Sequence, residues 1–194
     1  MKTLRYILIA FLLAAFTTKD AAKTSLEVWV EHDSEVSISG TTNVNSFTCC
    51  YNINKLKDPI AVSFESNKDV MIFKATALEL ENECFDCGHK GINKDFNKLL
   101  KTEVYPTIKL QLREIQKATS SENTFFAKVD IHIANKVNSY QLPVKVTKNG
   151  HYSIVGELDL NLTDFNLEAP KKAFGLIVVH DKIKVSFNLH LKEV

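Results

Sequence analysis

The amino-acid sequence predicts an all-β chain of antiparallel strands, and three features predict it. Apolar and polar residues alternate with period two through most of the chain, as they do in strands with one buried and one wet face. No strand-like run is continuously apolar, as strands of a parallel sheet between helices would be. One stretch alone carries a helical stripe. About eight or nine amphipathic strands follow. A sheet of that kind buries one face by closing into a barrel or folding into a sandwich. An eight-stranded barrel leaves an interior just wide enough for side chains or one small ligand.

The last segment, KIKVSFNLHLK, is the clearest strand. Ile183, Val185, Phe187, Leu189 and Leu191 take one face, and Lys182, Lys184, Ser186, Asn188, His190 and Lys192 the other. The same alternation runs through IAVSFES, TIKLQLREI, TFFAKVDIHIA, SYQLPVKV and YSIVGELDLNL, and less regularly through LEVWVEH, SEVSISG and VMIFKATALEL. Asn149-Gly150 marks a hairpin. A three-residue loop, Lys148-Asn149-Gly150, pairs Val146 with Tyr152, Val144 with Ile154 and Leu142 with Gly156, and keeps like faces together. Gly150 then takes the left-handed conformation, which costs glycine nothing. In GINKDFNKLLKTEVYP, Ile92, Phe96, Leu99 and Leu100 fall at i, i+4, i+7 and i+8, one stripe of a short helix. Asn93 is its expected N-cap, and Asp95 suits the positive end of the helix dipole.

At 194 residues, 45% hydrophobic and 24% charged, the composition is that of one ordinary globular domain. The net charge is +1 and the lysines are scattered, so no basic stripe calls for nucleic acid. Lys2 and Arg5 precede an apolar run over residues 6–16. That run is too short to span a bilayer but suits a signal peptide. The expected division is therefore a signal peptide over 1–22 and one domain over 23–194, exported to the periplasm or secreted. No cysteine precedes Cys49, which argues against a lipid anchor at the cleavage point.

Four stretches, in order, resemble the YceI-like family of bacterial periplasmic proteins: SISGTTNVNSFTC, HKGINKDFNKLLKTEVYPTIKLQL, IHIANKVNSYQLPVKV, and GELDLNLTDFNL with HDKIKVSFNLHL. The resemblance rests on the early glycine strand, the short helix leading into Tyr105-Pro106-Thr107-Ile108, the segment Tyr140-Gln141-Leu142-Pro143-Val144, and Asp164-Phe165-Asn166-Leu167. It implies a lipocalin-like eight-stranded antiparallel barrel with one short helix in a connection. It also implies a hydrophobic tunnel for a polyisoprenoid chain, such as that of a quinone or polyprenyl lipid. The chain departs from the family where Asn93-Lys94-Asp95 replaces an Arg-Asp pair, and where Asn166 replaces a glycine.

ECFDCGH raises other chemistries. Haem c attachment needs histidine directly after the second cysteine, and Gly88 intervenes. A thioredoxin-like site opens a helix in a βαβ unit, which this pattern lacks. Zinc would need four ligands from Cys49, Cys50, Cys84, Cys87 and His89, but neighbours on a strand face opposite ways, and the expectation is no metal site. Structural disulfides fit an exported protein best. The resemblance favours Cys49–Cys87, both lying in family-like segments, and leaves a second pair, Cys50–Cys84, open. No serine, histidine and carboxylate arrangement stands out, so the expectation is a binding protein and not an enzyme.

Under the resemblance, the inward set lining the tunnel is Val62, Phe64, Ile108, Leu110, Leu112, Phe125, Val129, Ile131, Leu142, Val144, Ile154, Leu158, Leu160, Phe165, Phe174, Val185, Phe187 and Leu189. The same residues would equally fill a packed core, and only their summed volume separates the two. Gly156 and Ala127, small among large, leave room. The expected partner is an isoprenoid or other long-chain lipid, with transient membrane contact and a homodimer left open, and no cofactor beyond such a bound lipid or quinone. The alternatives are a filled structural β-protein acting through its loops, and a thiol or zinc protein.

Overall fold

A computed structural model of the chain describes residues 22–118, 123–172 and 176–194. Residues 1–21 of the expected signal peptide and Phe174 lie outside them, and Ala22, the last residue of that expected segment, is the first of a strand. Among the described residues thirteen strands and one α-helix occur in the order β1 (Ala22–Val30), β2 (Glu35–Thr42), β3 (Ser46–Tyr51), β4 (Ile60–Asn67), β5 (Val70–Phe73), β6 (Ala77–Glu81), β7 (Phe85–Asp86), α1 (Lys90–Leu99), β8 (Thr107–Lys117), β9 (Thr124–Ile133), β10 (Lys136–Asn149), β11 (His151–Asn161), β12 (Lys171–Lys172) and β13 (Ile177–Glu193). All pairings are antiparallel.

Eight strands form a closed ring, β1-β4-β5-β8-β9-β10-β11-β13, and β13 returns to β1. This is the closure expected of a barrel. The seam is short: Val28, Trp29 and Val30 pair with Glu193, Lys192 and Leu191. Further along, β13 leaves β1 and pairs with β2 instead, and β2-β3-β7 extends the wall at that end. The strand count exceeds the eight or nine expected because short strands join the wall. VMIFKATALEL is not one strand. Ala75 sits at a left-handed φ of 58°, a conformation costly to residues with a Cβ. It splits the run into β5 and β6, which pair with opposite halves of β8.

Two local expectations need correction. At the β10–β11 hairpin Val146 faces Ile154 and Val144 faces Gly156, with Asn149 opposite His151. The loop is therefore tighter than three residues, turning on Gly150 alone at φ 79°. The shift is by two residues, so every side chain keeps its face and the hydrophobic pattern cannot sense it. The helix N-cap is His89, whose Nδ1 accepts from the Gly91 N–H at 3.0 Å, and not Asn93. Asn93 lies inside the first turn. Its Oδ1 accepts from the Cys87 N–H at 2.7 Å, and its amide donates to Asp86 at 3.0 Å.

Cys49 and Cys87 form a disulfide that ties β3 to the segment entering α1. Cys50 and Cys84 are free thiols, which corrects the second pairing. Cys50 stands opposite Asp86 on an exposed face. The backbone carbonyl of Cys84 instead accepts from Asn52 N–H at 2.9 Å, two residues further along. Beyond the disulfide, the rings of Tyr51, Phe85 and Phe96 stand in a row, 5.1 and 5.2 Å apart, and fix the helix to the wall.

Between β11 and β12 a 3-10 turn, Leu162–Phe165, folds inward. A capping box holds it: the Asn161 side chain accepts from the third-residue amide, and Asp164 accepts from Asn161 N–H, so two orphan donors are satisfied reciprocally. Tyr140 Oη donates to the Asp164 carboxylate at 3.1 Å. Asn138 donates to the Asp164 carbonyl at 2.7 Å. Asn166 closes the turn at φ 55°, a left-handed position that asparagine tolerates better than most residues. This accounts for its standing where the family carries glycine.

Two predictions follow from these ties. Thiol titration of unfolded, unreduced protein should find two free thiols of the four cysteines; four would contradict the crosslink. The Cys49→Ala/Cys87→Ala variant should lose about 4 kcal/mol through its longer unfolded-state loops and melt ~10 °C lower. The second prediction concerns Tyr140, whose phenol is pushed up to about 12 by burial and then by the Asp164 carboxylate. The folded state therefore keeps this proton at pH values where the unfolded chain has lost it. The stabilisation is fully present below pH 10.0 and is lost as pH rises through about 12. Urea unfolding across that window should show the decline, and Tyr140→Phe should flatten it; an unchanged decline would contradict the assignment.

Candidate functional site

The inward stripe of α1 faces a cavity. Ile92, Phe96, Leu99 and Leu100 all line it, together with Ile38, Phe47 and Cys49 from β2 and β3, and Leu160, Leu162, Phe165 and Leu167 around the 3-10 turn. Ile177, Val179 and Ile183 of β13 complete the far side, with Ile108 and Ile133 from β8 and β9. The volume is about 260 Å³. Thr42, Asn45 and Asp95 are the polar lining residues. Such a lining rewards apolar contact and gives a polar ligand few partners.

The described residues of the sequence-predicted set fall into four groups. Ile108, Leu160 and Phe165 line this cavity. Ile131 is buried in the same core, with Leu110, Val129, Leu158, Val185, Phe187 and Leu189 packed against it. Leu142 and Val144 form a second buried cluster with Ala127, against which Leu112, Phe125 and Ile154 pack. Val62 and Phe64 of β4 are half-buried, and the Phe64 ring stands 5.4 Å from that of Phe73. Val129, Leu158 and Phe187 touch both clusters. The apolar inner surface is thus continuous from the cavity to the region beyond it.

Many of these inward residues are only half-buried. Leu110, Leu112, Phe125, Val129, Ile154, Leu158, Val185, Phe187 and Leu189 all retain accessible surface, although they stand on the inner face of a closed ring. A tightly filled interior at native packing density leaves side chains in contact on all sides; these are not. Two aromatic rings contribute to the room. A Cβ added at Gly156 would stand 2.5 Å from the Phe187 ring, and one at Gly40 would stand 2.5 Å from that of Phe47. Each glycine is the register partner of its phenylalanine. Both rings therefore lie flat on the wall, where any larger residue would lift them inward.

Sequence reasoning missed the helix stripe as part of the site, although it read the stripe as helical. It also missed Ile38, Phe47 and Ile133, which alternate inward as plainly as the residues it chose. Leu162 opens the 3-10 turn and Leu167 follows it, and neither keeps a strand period. At the opposite end of the chemistry, burial and then the Glu81 carboxylate push the Cys84 thiol up, away from the lowered pKa of an activated thiolate. Among the described residues no group of three or more metal-binding side chains occurs, and no helix is long and apolar enough to cross a membrane.

Comparison with solved structures finds the same fold at low identity. BcnA of Burkholderia cenocepacia aligns with 84% of this chain and 98% of its own, at 19% identity and a TM-score of 0.58. A polyisoprenoid-binding domain from Saccharophagus degradans, implicated in plant cell wall breakdown, aligns with 91% of this chain and 100% of its own, at 12% identity and a TM-score of 0.57. The Campylobacter jejuni YceI protein aligns with 71% of this chain and 82% of its own, at 13% identity and a TM-score of 0.51. Comparison with curated proteins finds no match. The model of the YceI-like domain matches residues 17–191, and with the ring of strands and the helix in their places, the chain belongs to the YceI-like domain family.

Proposed function

We propose that the protein binds a long-chain isoprenoid or similar lipid inside the strand ring, storing or carrying it in the bacterial cell envelope. One observation carries the reading: a continuous apolar inner surface whose residues stay partly accessible within a closed ring, opening into the cavity beneath α1. The polyisoprenoid-binding description of the Saccharophagus relative supports the same class of ligand. The apolar N-terminal run over residues 6–16 supports export.

The magnitudes are adequate. Burying each CH₂ is worth about 0.8 kcal/mol, so some fifteen carbons give ~12 kcal/mol gross, against association costs of ~4–15 kcal/mol. A hydrophobic tail alone brings binding into a useful range, without a charged anchor. At about 260 Å³ the cavity is below the ~300–1,000 Å³ usual for a drug-sized ligand. It takes one stretch of a chain, and the remainder runs along the inner wall past Val129, Leu158 and Phe187. The binding needs no bond-making step, so the protein acts as a carrier and not as an enzyme.

Organic extraction and native mass spectrometry of protein from a bacterial host should recover a lipid of several hundred daltons. The Gly156→Val variant, whose side chain lifts the Phe187 ring into the lumen, should retain at least ~10-fold less lipid, the loss of two to three buried CH₂ groups, with an unchanged far-ultraviolet spectrum. A lipid-free native protein, or full retention by Gly156→Val, would overturn the reading.

A further inference from the structure

Helix α1 uses only one face on the cavity. On the opposite side Lys90, Lys94 and Lys98 stand at i, i+4 and i+8, all exposed, and Lys101 follows just beyond the helix end. Four lysines of the wall are matched by acids: Lys74 with Glu65, Lys109 with Glu79, Lys182 with Asp159, and Lys184 with Glu157. Among the described residues no such partner engages Lys90, Lys94 or Lys98. The one acid of the helix, Asp95, lies on the cavity side. In a chain of net charge +1, this is a local row of unmatched cations laid over the cavity.

The other lip of the same cavity is apolar and exposed. Val44, at the tip of the β2–β3 turn, is 64% exposed, and Leu176, just before β13, is 74% exposed. They are held together. Asn43 donates from its side chain to the Leu176 carbonyl at 2.9 Å, and accepts from the Val178 N–H at 3.0 Å. The Asn43 N–H donates to the Val178 carbonyl at 3.2 Å. Their chain neighbours Thr42, Asn45 and Ile177 line the cavity. The cavity is thus flanked by two exposed apolar side chains beside its lining strands and by a row of lysines on the outer face of its helix.

The geometry points to a docking surface for an anionic phospholipid bilayer. Lysines near such a surface are attracted to the headgroup phosphates, and a cationic helix face beside apolar anchors is the combination that holds a protein on the interface. Val44 and Leu176 enter the apolar boundary while Lys90, Lys94 and Lys98 lie on the headgroups. The cavity mouth then faces the bilayer, and a long-chain lipid passes between them without crossing water. This rests on the lipid-binding reading, but its failure is separable.

The test is co-sedimentation of the full chain with vesicles of phosphatidylcholine alone, or containing a third phosphatidylglycerol. All forms carry the same N-terminus, so residues 6–16 contribute equally. The Lys90→Gln/Lys94→Gln/Lys98→Gln variant keeps residues of equal helix propensity. It should bind the anionic vesicles ~100-fold more weakly than the native chain, with both forms alike on neutral vesicles. Val44→Ser/Leu176→Ser should also weaken binding while leaving the lysine row intact. The proposal is overturned if the triple variant binds anionic vesicles as the native chain does, or if the native chain binds neither kind; the latter would assign the row to a protein partner. Organic extraction of the same preparations separates the two readings. Lipid recovered without vesicle binding removes only the docking surface, and vesicle binding without recovered lipid removes only the lipid-carrier function.

Discussion

Everything inside this molecule depends on three residue pairs. Val28, Trp29 and Val30 against Glu193, Lys192 and Leu191 are what join the first strand to the last. Without them the alternating strands are an open sheet, and their apolar face needs another layer to cover it. With them the sheet covers itself. Period-two alternation then acquires a second meaning: the half facing inward shares a space of limited width, and what those side chains fail to fill is available to something else. The seam is reinforced on either side, by Glu31 N–H donating to the His190 carbonyl and Val194 N–H donating to that of Glu27.

At the helix end the wall is made differently. There β13 has exchanged β1 for β2, and β6 lies on β8 where β5 does not reach. The space between is covered by α1, held by the Cys49–Cys87 bond and by the row of rings from Tyr51 to Phe96. The cap is thus a packed element with a covalent tie beside it. Next to the cap, the cavity is lined by residues of the β2–β3 turn, the 3-10 turn and the start of β13.

Much of this was legible in the sequence because strand alternation and a four-residue helical stripe are local patterns. Ile183 to Leu191, Phe125 to Ile133 and the stripe from Ile92 to Leu100 all face as their spacing requires. The Cys49–Cys87 pair came from resemblance, and the register of β3 on β7 supplies its physical basis. What stayed hidden depends on choices that periodicity does not record. Asn93 and His89 both suit a cap, but Asn93 is occupied with Cys87 and Asp86. A hairpin shifted by two residues looks identical in polarity. The three-pair seam and the split at Ala75 arise from contacts between distant segments, and no window of sequence contains them.

The position of β13 also bears on how the molecule comes into being. This strand pairs with β1, β2, β11 and β12, and it lies far along the sequence from the β1 and β2 it joins. Loop closure between segments so far apart carries a large entropic cost that is recovered only when the pairing is complete. The ring therefore closes late. Until the seam pairs form, the inner face is an uncovered trough, so damage to this one strand lays the whole oily lining open to water.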